Sequence, residues 1–359
     1  MILSLPRAEA RVNWRQVGLF VALTFGLSWI LDAAIVLTVG YGSQASGLLL
    51  QLQMLLPAFS AILLGTLFFS SSPIHRKVKL GRPRIFFGYF LAYALIYMAL
   101  GVASIAMPQQ IVTFSLAGLA LTFLGLVLLV VLRVVSGRES FRKAGLSGGK
   151  FRYWALFGAG FLLFYLLQTL LNYLFGLGQP VDVSPLARQA QMPESVFLTV
   201  AGVQTILVGP FLGLVIAFGE EYGWRGYLQG ELIKLGRVRG VLLVGTIWGL
   251  WHAPIIVMGH NYPGYPVAGV FLMVGYCITL GYVLGYAMLK SGSVWLAAFL
   301  HALNNQALAY LSGVIYTPSN PVFCFGVGLF GILSLAVVAL LVLRDPIWRG
   351  SDAEPQSAG

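Results

Sequence analysis

The sequence predicts an all-α protein, a polytopic transmembrane bundle of about ten helices with its N- and C-termini in the cytoplasm. Three observations predict it. Hydrophobic residues make up 58% of the 359-residue chain and charged residues only 9%, against about 25% charged in soluble domains. Ten apolar stretches approach or exceed the roughly 20 residues that a spanning helix needs. When the connections are assigned alternately to the two sides from a cytoplasmic N-terminus, every Lys and Arg except Arg188 falls on the inner side. That bias is the one the positive-inside rule demands.

The stretches of the first half cover residues 16–39, 46–70, 85–107, 112–132 and 153–177. The first runs so closely into the second that it reads as a span and not as a cleaved signal. Two basic loops, 71–84 and 133–152, fall between spans on the inner side. The connection 178–195, with Pro180, Pro185 and Pro193, reads as an outer surface loop joining two halves. The second half continues with 196–219, 240–258, 267–289, 293–312 and 322–343. Three parts follow: a motif-free five-helix membrane region (1–190), a region holding every polar cluster (195–312), and a final helix with a polar tail that adds no chemistry (313–359). The tail Ser351–Gly359 is small and polar and reads as disordered. Basic loops against an anionic inner leaflet account for the net charge of +11, so the expected partner is the lipid bilayer of the cell membrane, not nucleic acid. Cys277 and Cys324 lie in apolar stretches, where a thiol behaves as a small hydrophobe. Neither has the spacing of a disulfide framework or a thiolate metal site.

Three polar clusters interrupt the apolar second half: Glu220-Glu221-x-x-x-Arg225, Trp248-x-x-x-His252 and His301-x-x-x-Asn305. A charged side chain at a helix centre costs roughly 3 kcal/mol on insertion scales, so such residues mark function. Glu221 and Arg225, four apart, share a face and can pair. Glu220 points about 100° away, which leaves it without that cation and suits it to act as a general base. The competing reading is a charged helix end at the cytoplasmic boundary with both glutamates wet. His252 shares a face with Trp248, and Pro254 just beyond it loosens the backbone and opens room for water or substrate. His301 and Asn305, one turn apart, are suited to hold a developing oxyanion, while Asn304 points aside. Polar glue between helices would explain the last two clusters singly; three clusters on three helices of one half favour one shared site.

In this order the clusters resemble the CPBP family of intramembrane proteases, which includes the CAAX prenyl endopeptidases and the bacterial Abi or bacteriocin-immunity proteins. The resemblance covers residues 205–312, through Glu-Glu-Tyr-Gly-Trp-Arg-Gly-Tyr-Leu, Trp-Gly-Leu-Trp-His-Ala-Pro and Gly-Ser-Val-Trp-Leu-Ala-Ala-Phe-Leu-His. It departs from the family at Trp248, where phenylalanine is usual. The resemblance implies an intramembrane endopeptidase that cleaves a membrane-associated protein or peptide. Glu220 and His252 would position and deprotonate water, His301 and Asn305 would stabilise the oxyanion, and Glu221 and Arg225 would hold the helices in register. Counting about 1.5 Å per residue from the basic loops puts Glu220 shallow, His301 deeper and His252 near mid-membrane, which predicts a cavity opening to the cytoplasm.

No cofactor is required by this scheme. If Zn2+ is used, Glu220, His252 and His301 would supply a two-His-one-carboxylate set, although no His-Glu-x-x-His helix exists. Two rival classes remain: an ion- or proton-coupled transporter, which would couple flux to pH, and a non-catalytic immunity protein, which would tolerate loss of Glu220. Asp32 is an intramembrane acid without a motif, expected either to pair with another helix or to lie near the outer half of a cavity. Gln168, Asn172 and Gln204 read as interhelical hydrogen-bonding residues, His75 as solvated in a basic loop, and His260-Asn261 as part of an outer turn.

Overall fold

Hydropathy carries over into helices almost position for position. The computed structural model describes residues 11–349, so the expectation for the tail Ser351–Gly359 lies outside the described residues. Helix α1 (Trp14–Thr38) starts at Asn13, whose side chain accepts from the Gln16 amide, and α2 (Gln44–Leu67) starts at Ser43 in the same way. Next come α3 (Pro83–Ala106), α4 (Ile111–Val135), the short basic α5 (Arg138–Lys143) and α6 (Phe151–Leu174). The connection to the second half holds strand β1 (Gly178–Pro180) and α7 (Ser184–Gln189).

The second half opens with a helical run that is repeatedly interrupted. It comprises α8 (Glu194–Gly202), a π-helical turn (Val203–Val208), α9 (Gly209–Leu212), α10 (Leu214–Glu221), a second π-helical turn (Tyr222–Leu228) and α11 (Gln229–Leu232). Then follow α12 (Arg237–Trp251), α13 (Ala253–Val257), α14 (Pro266–Ser291) and α15 (Val294–Tyr310). A third π-helical turn (Leu311–Ile315), strand β2 (Tyr316–Pro318) and α16 (Leu329–Val342) complete the order.

Among the described residues, seven helical runs are long and apolar enough to cross a membrane: α1, α2, α3, Pro108–Val135, α6, Glu194–Leu212 and α14. At the other three predicted spans, α12, α15 and α16 have only 15, 17 and 14 residues. Each shortfall has a local cause. Pro254 has no N–H to continue α12, α15 unwinds into a π-helical turn, and α16 is preceded by an irregular segment with Gly326 at φ +97°. The protein is a polytopic, multi-pass, all-α membrane protein.

Hydrogen bonds between connections sort the helix ends into two faces. On one, Ser140 donates to the Leu80 carbonyl, the Trp295 indole to the Leu146 carbonyl, and Lys290 pairs with Asp345 at 2.6 Å. This face carries the basic loops. On the other, Tyr41 bonds His260 at 2.8 Å, β1 pairs antiparallel with β2, Asn320 donates to Tyr265, and Tyr262 donates to the Val327 carbonyl. We call them the basic face and the loop face. His75, expected in solvent, is instead buried, because the 71–84 loop folds back against α2 and the ring accepts from the Lys77 amide.

Candidate active site

The site begins with a backbone contact. A Cβ on Gly219 would overlap the Met54 carbonyl and the Leu55 Cα, and one on Gly223 would overlap Pro57. This glycine pair, four apart, lets α10 and its following turn press directly on α2. Glu220 and Glu221 are thereby carried inside the bundle, 3% and 0% exposed. The alternative of wet glutamates at a helix end does not survive.

The two acids then diverge. Glu221 Oε1 accepts from Arg225 Nη1 at 2.9 Å and from His301 Nδ1 at 2.7 Å. Glu220 Oε2 accepts from the Trp248 indole at 2.7 Å, and its Oε1 lies 4.0 Å from His301 Nε2. The expected Glu221–Arg225 pair is present, and the structure adds His301 to it. Trp248 touches Glu220, Arg225, His301 and His252. Its ring lies 4.1 Å below the Arg225 guanidinium carbon and edge-on to His301, and its carbonyl bonds His252 Nδ1 at 2.8 Å. A carbonyl only accepts, so Nδ1 carries the proton and Nε2 is the basic nitrogen of His252. His252 occupies the break between α12 and α13, as Pro254 foretold.

On α15, His301 is buried and Asn305 is exposed to the cavity described below. Asn304, which sequence reasoning put aside, orients Asn305: its Nδ2 donates to Asn305 Oδ1 at 3.0 Å. Its own Oδ1 accepts from the Tyr276 hydroxyl at 2.7 Å and from the Tyr165 hydroxyl. Asn305 is thus left with its Nδ2 group as the free donor. Tyr165 and Tyr276 were missed because a tyrosine in an apolar helix carries no signal that separates it from packing aromatics. Tyr165 comes from α6, so the motif-free first half also builds the site.

Glu220, Trp248, His252, His301, Asn304 and Asn305 all line one cavity of about 900 Å³, whereas Glu221 and Arg225 stand behind its wall. The cavity runs past Leu50, Gln53 and Met54 of α2 to the loop face, where Pro263, Tyr265, Thr317 and Ser319 are both lining and exposed. No described residue of the basic loops lines it. The expectation of an opening on the basic side is therefore overturned. Depth counting ignores packing: Phe218 stacks on Trp295 at 4.4 Å, and Phe86 meets both edge-on at 5.4 and 5.5 Å. These rings pack α3, α10 and α15 together, and none of them lines the cavity. Residues 317–327, assigned no part in the chemistry, form much of the mouth.

Among the described residues no three His, Cys, Asp or Glu side chains converge as a set that could hold a metal ion. Asp32 accepts from Gln53 at 3.1 Å, the helix-to-helix pairing expected of it. Gln168 and Asn172, expected to bond between helices, instead bind the backbone of Gly326 and Phe325 in the irregular segment before α16. Cys277 and Cys324 are free and buried. At the rim, desolvation pushes the half-buried His260 imidazole down to about 4, so it is neutral at physiological pH.

The same stretch of chain carries the comparisons with known proteins. Residues 202–307 match the family model described as type II CAAX prenyl endopeptidase Rce1-like. This stretch is similar to the CAAX-protease family. A stretch of 102 residues is also 31% identical to CAAX prenyl protease 2 of Methanococcus maripaludis, covering 26% of this chain and 37% of that protein. The chain thus spans little more than a third of the relative it matches. No solved structure matches it. The matched stretch begins within the helical run that leads to Glu220 and ends just after Asn305, so it frames all three clusters and leaves the cavity mouth at 317–327 outside.

Proposed function

We propose that the protein is an intramembrane endopeptidase of the CAAX type, cleaving a membrane-associated protein or peptide. The observation that carries this reading is the convergence of Glu220, His252, His301 and Asn305, from three helices, on the wall of one cavity that reaches the surface. Glu220, oriented by the Trp248 indole, and the basic Nε2 of His252 position a water and accept its proton as it attacks the scissile carbonyl. The tetrahedral oxyanion is held by Asn305 Nδ2 and by His301 Nε2, the ring nitrogen left over after Nδ1 is committed to Glu221. The ring donates there in its doubly protonated form. Glu220 then passes the proton to the leaving amine, and the bond breaks with atoms and charge balanced. Glu221 and Arg225 take no part in bond making; they fix the His301 ring. The membrane in question is proposed to be the cell membrane.

The reading is tested by comparing membrane-protein N-termini in cells expressing the wild type and Glu220→Gln at equal levels. New termini that depend on Glu220 are expected. Identical termini, together with pH-coupled flux in proteoliposomes, would replace the protease by a transporter.

A further inference from the structure

Two features decide from which side a substrate arrives, and neither depends on the chemistry. The first is charge. Every described Lys and Arg other than Arg188 and the buried Arg225 belongs to the basic face, and the positive-inside rule holds such a face in the cytoplasm. The second is the shape of the cavity. It reaches the surface through Pro263, Tyr265, Thr317 and Ser319 on the loop face, and no described residue of the basic loops lines it. From these together we infer that the active-site cavity opens away from the cytoplasm and receives an uncharged, apolar stretch of an exported, membrane-anchored polypeptide. The cleavage part of this inference rests on the protease reading above; the direction of opening does not.

The lining defines the substrate class. Among the described residues no Lys, Arg or Asp lines the cavity, and Glu220 is its one carboxylate. Leu50, Met54, Ile255, Met273, Leu280 and Leu308 supply apolar walls. The volume of about 900 Å³ lies near the upper end of ordinary ligand pockets and suits an extended peptide better than a small metabolite. At the mouth, Asn261, Tyr265, Thr317 and Ser319 offer amide and hydroxyl groups, the chemistry needed to meet the backbone of an extended chain. A polypeptide presented from the cytoplasmic side would meet the basic loops, none of whose described residues lines the cavity.

The test uses the full-length chain in cells. Ser319→Cys lies at the mouth and Lys143→Cys on the basic face, and both positions are exposed. Labelling by a membrane-impermeant maleimide is read against the unsubstituted chain, whose two cysteines are buried. Ser319→Cys is expected to label in intact cells and Lys143→Cys only after permeabilisation; the reverse pattern overturns the inference. Sealed vesicles of both orientations from the same cells are then given an internally quenched, lipid-anchored apolar peptide. Turnover that Glu220→Gln abolishes is expected in right-side-out vesicles and not in inside-out ones. A lysine placed mid-peptide should slow it roughly a hundredfold, the factor that corresponds to burying a charge in an apolar site. Turnover confined to inside-out vesicles overturns the inference. Outward labelling of Ser319→Cys with no Glu220-dependent turnover in either orientation would refute the protease reading and its substrate while the outward opening stands.

Discussion

Two regions that meet at adjacent residues behave in opposite ways. Around Glu221 the chain is closed: an ion pair with Arg225, a hydrogen bond to His301 and an indole ring beneath, with both charged side chains fully buried. Around Glu220, one residue earlier, it is open, and the carboxylate forms part of the cavity wall. A 100° step along the helix separates them. The difference teaches that a charge in a membrane bundle can serve architecture or chemistry according to whether its partners are used up.

That contrast can be broken from either side. The largest effect is expected on the open side: Glu220→Gln should lower turnover about 10⁴-fold, the upper range for a positioned acid–base group, with the thermal midpoint in detergent nearly unchanged. A comparable loss of folding would erase the distinction. On the closed side, Arg225→Ala strands Glu221 as a buried charge and should destabilise the protein by about 3–5 kcal/mol, read as a lower unfolding midpoint. Should Arg225→Ala leave the midpoint intact while abolishing turnover, Arg225 would belong to the chemistry instead.

Trp248→Phe sharpens the boundary between the regions. It keeps a ring beneath Arg225 but removes the N–H that holds Glu220 Oε2. A lost hydrogen bond to a charged group is worth about 1.5–3 kcal/mol, so kcat should fall roughly 10- to 100-fold with KM little changed. A change in KM alone would assign Trp248 to the substrate pocket. The smallest effect is expected for Tyr165→Phe, which removes one of the two hydroxyls on Asn304. It should cost about 1 kcal/mol, seen as a several-fold loss of kcat that the double variant with Asn305→Ala does not deepen.

Much of this was legible in the sequence because lipid imposes a strong code. Apolar length located the helices, and the scarcity of charge made Glu220, His252 and His301 stand out. The interruption at His252 was legible too, since Pro254 cannot donate a backbone hydrogen bond. What escaped depends on three-dimensional partners. Trp248 looked like an aromatic packing residue, but its N–H is what orients the acid. Tyr165 lies 139 positions from Asn304 along the chain, and no local pattern joins them. The direction of the cavity escaped for a related reason: residue counting measures distance along an axis, whereas the mouth is built by Pro263, Tyr265, Thr317 and Ser319 from separate loops.

The glycine contact beneath the acids has a consequence for how such a chain can vary over evolutionary time. Most buried contacts tolerate drift, because an enlarged side chain can be matched by a smaller neighbour. At Gly219 the neighbours are the carbonyl oxygen of Met54 and the Cα of Leu55, atoms that every residue type possesses. No exchange at positions 54 or 55 can make room. Position 219 should therefore stay glycine in any descendant that keeps its acid at 220, while the side chains around it change freely.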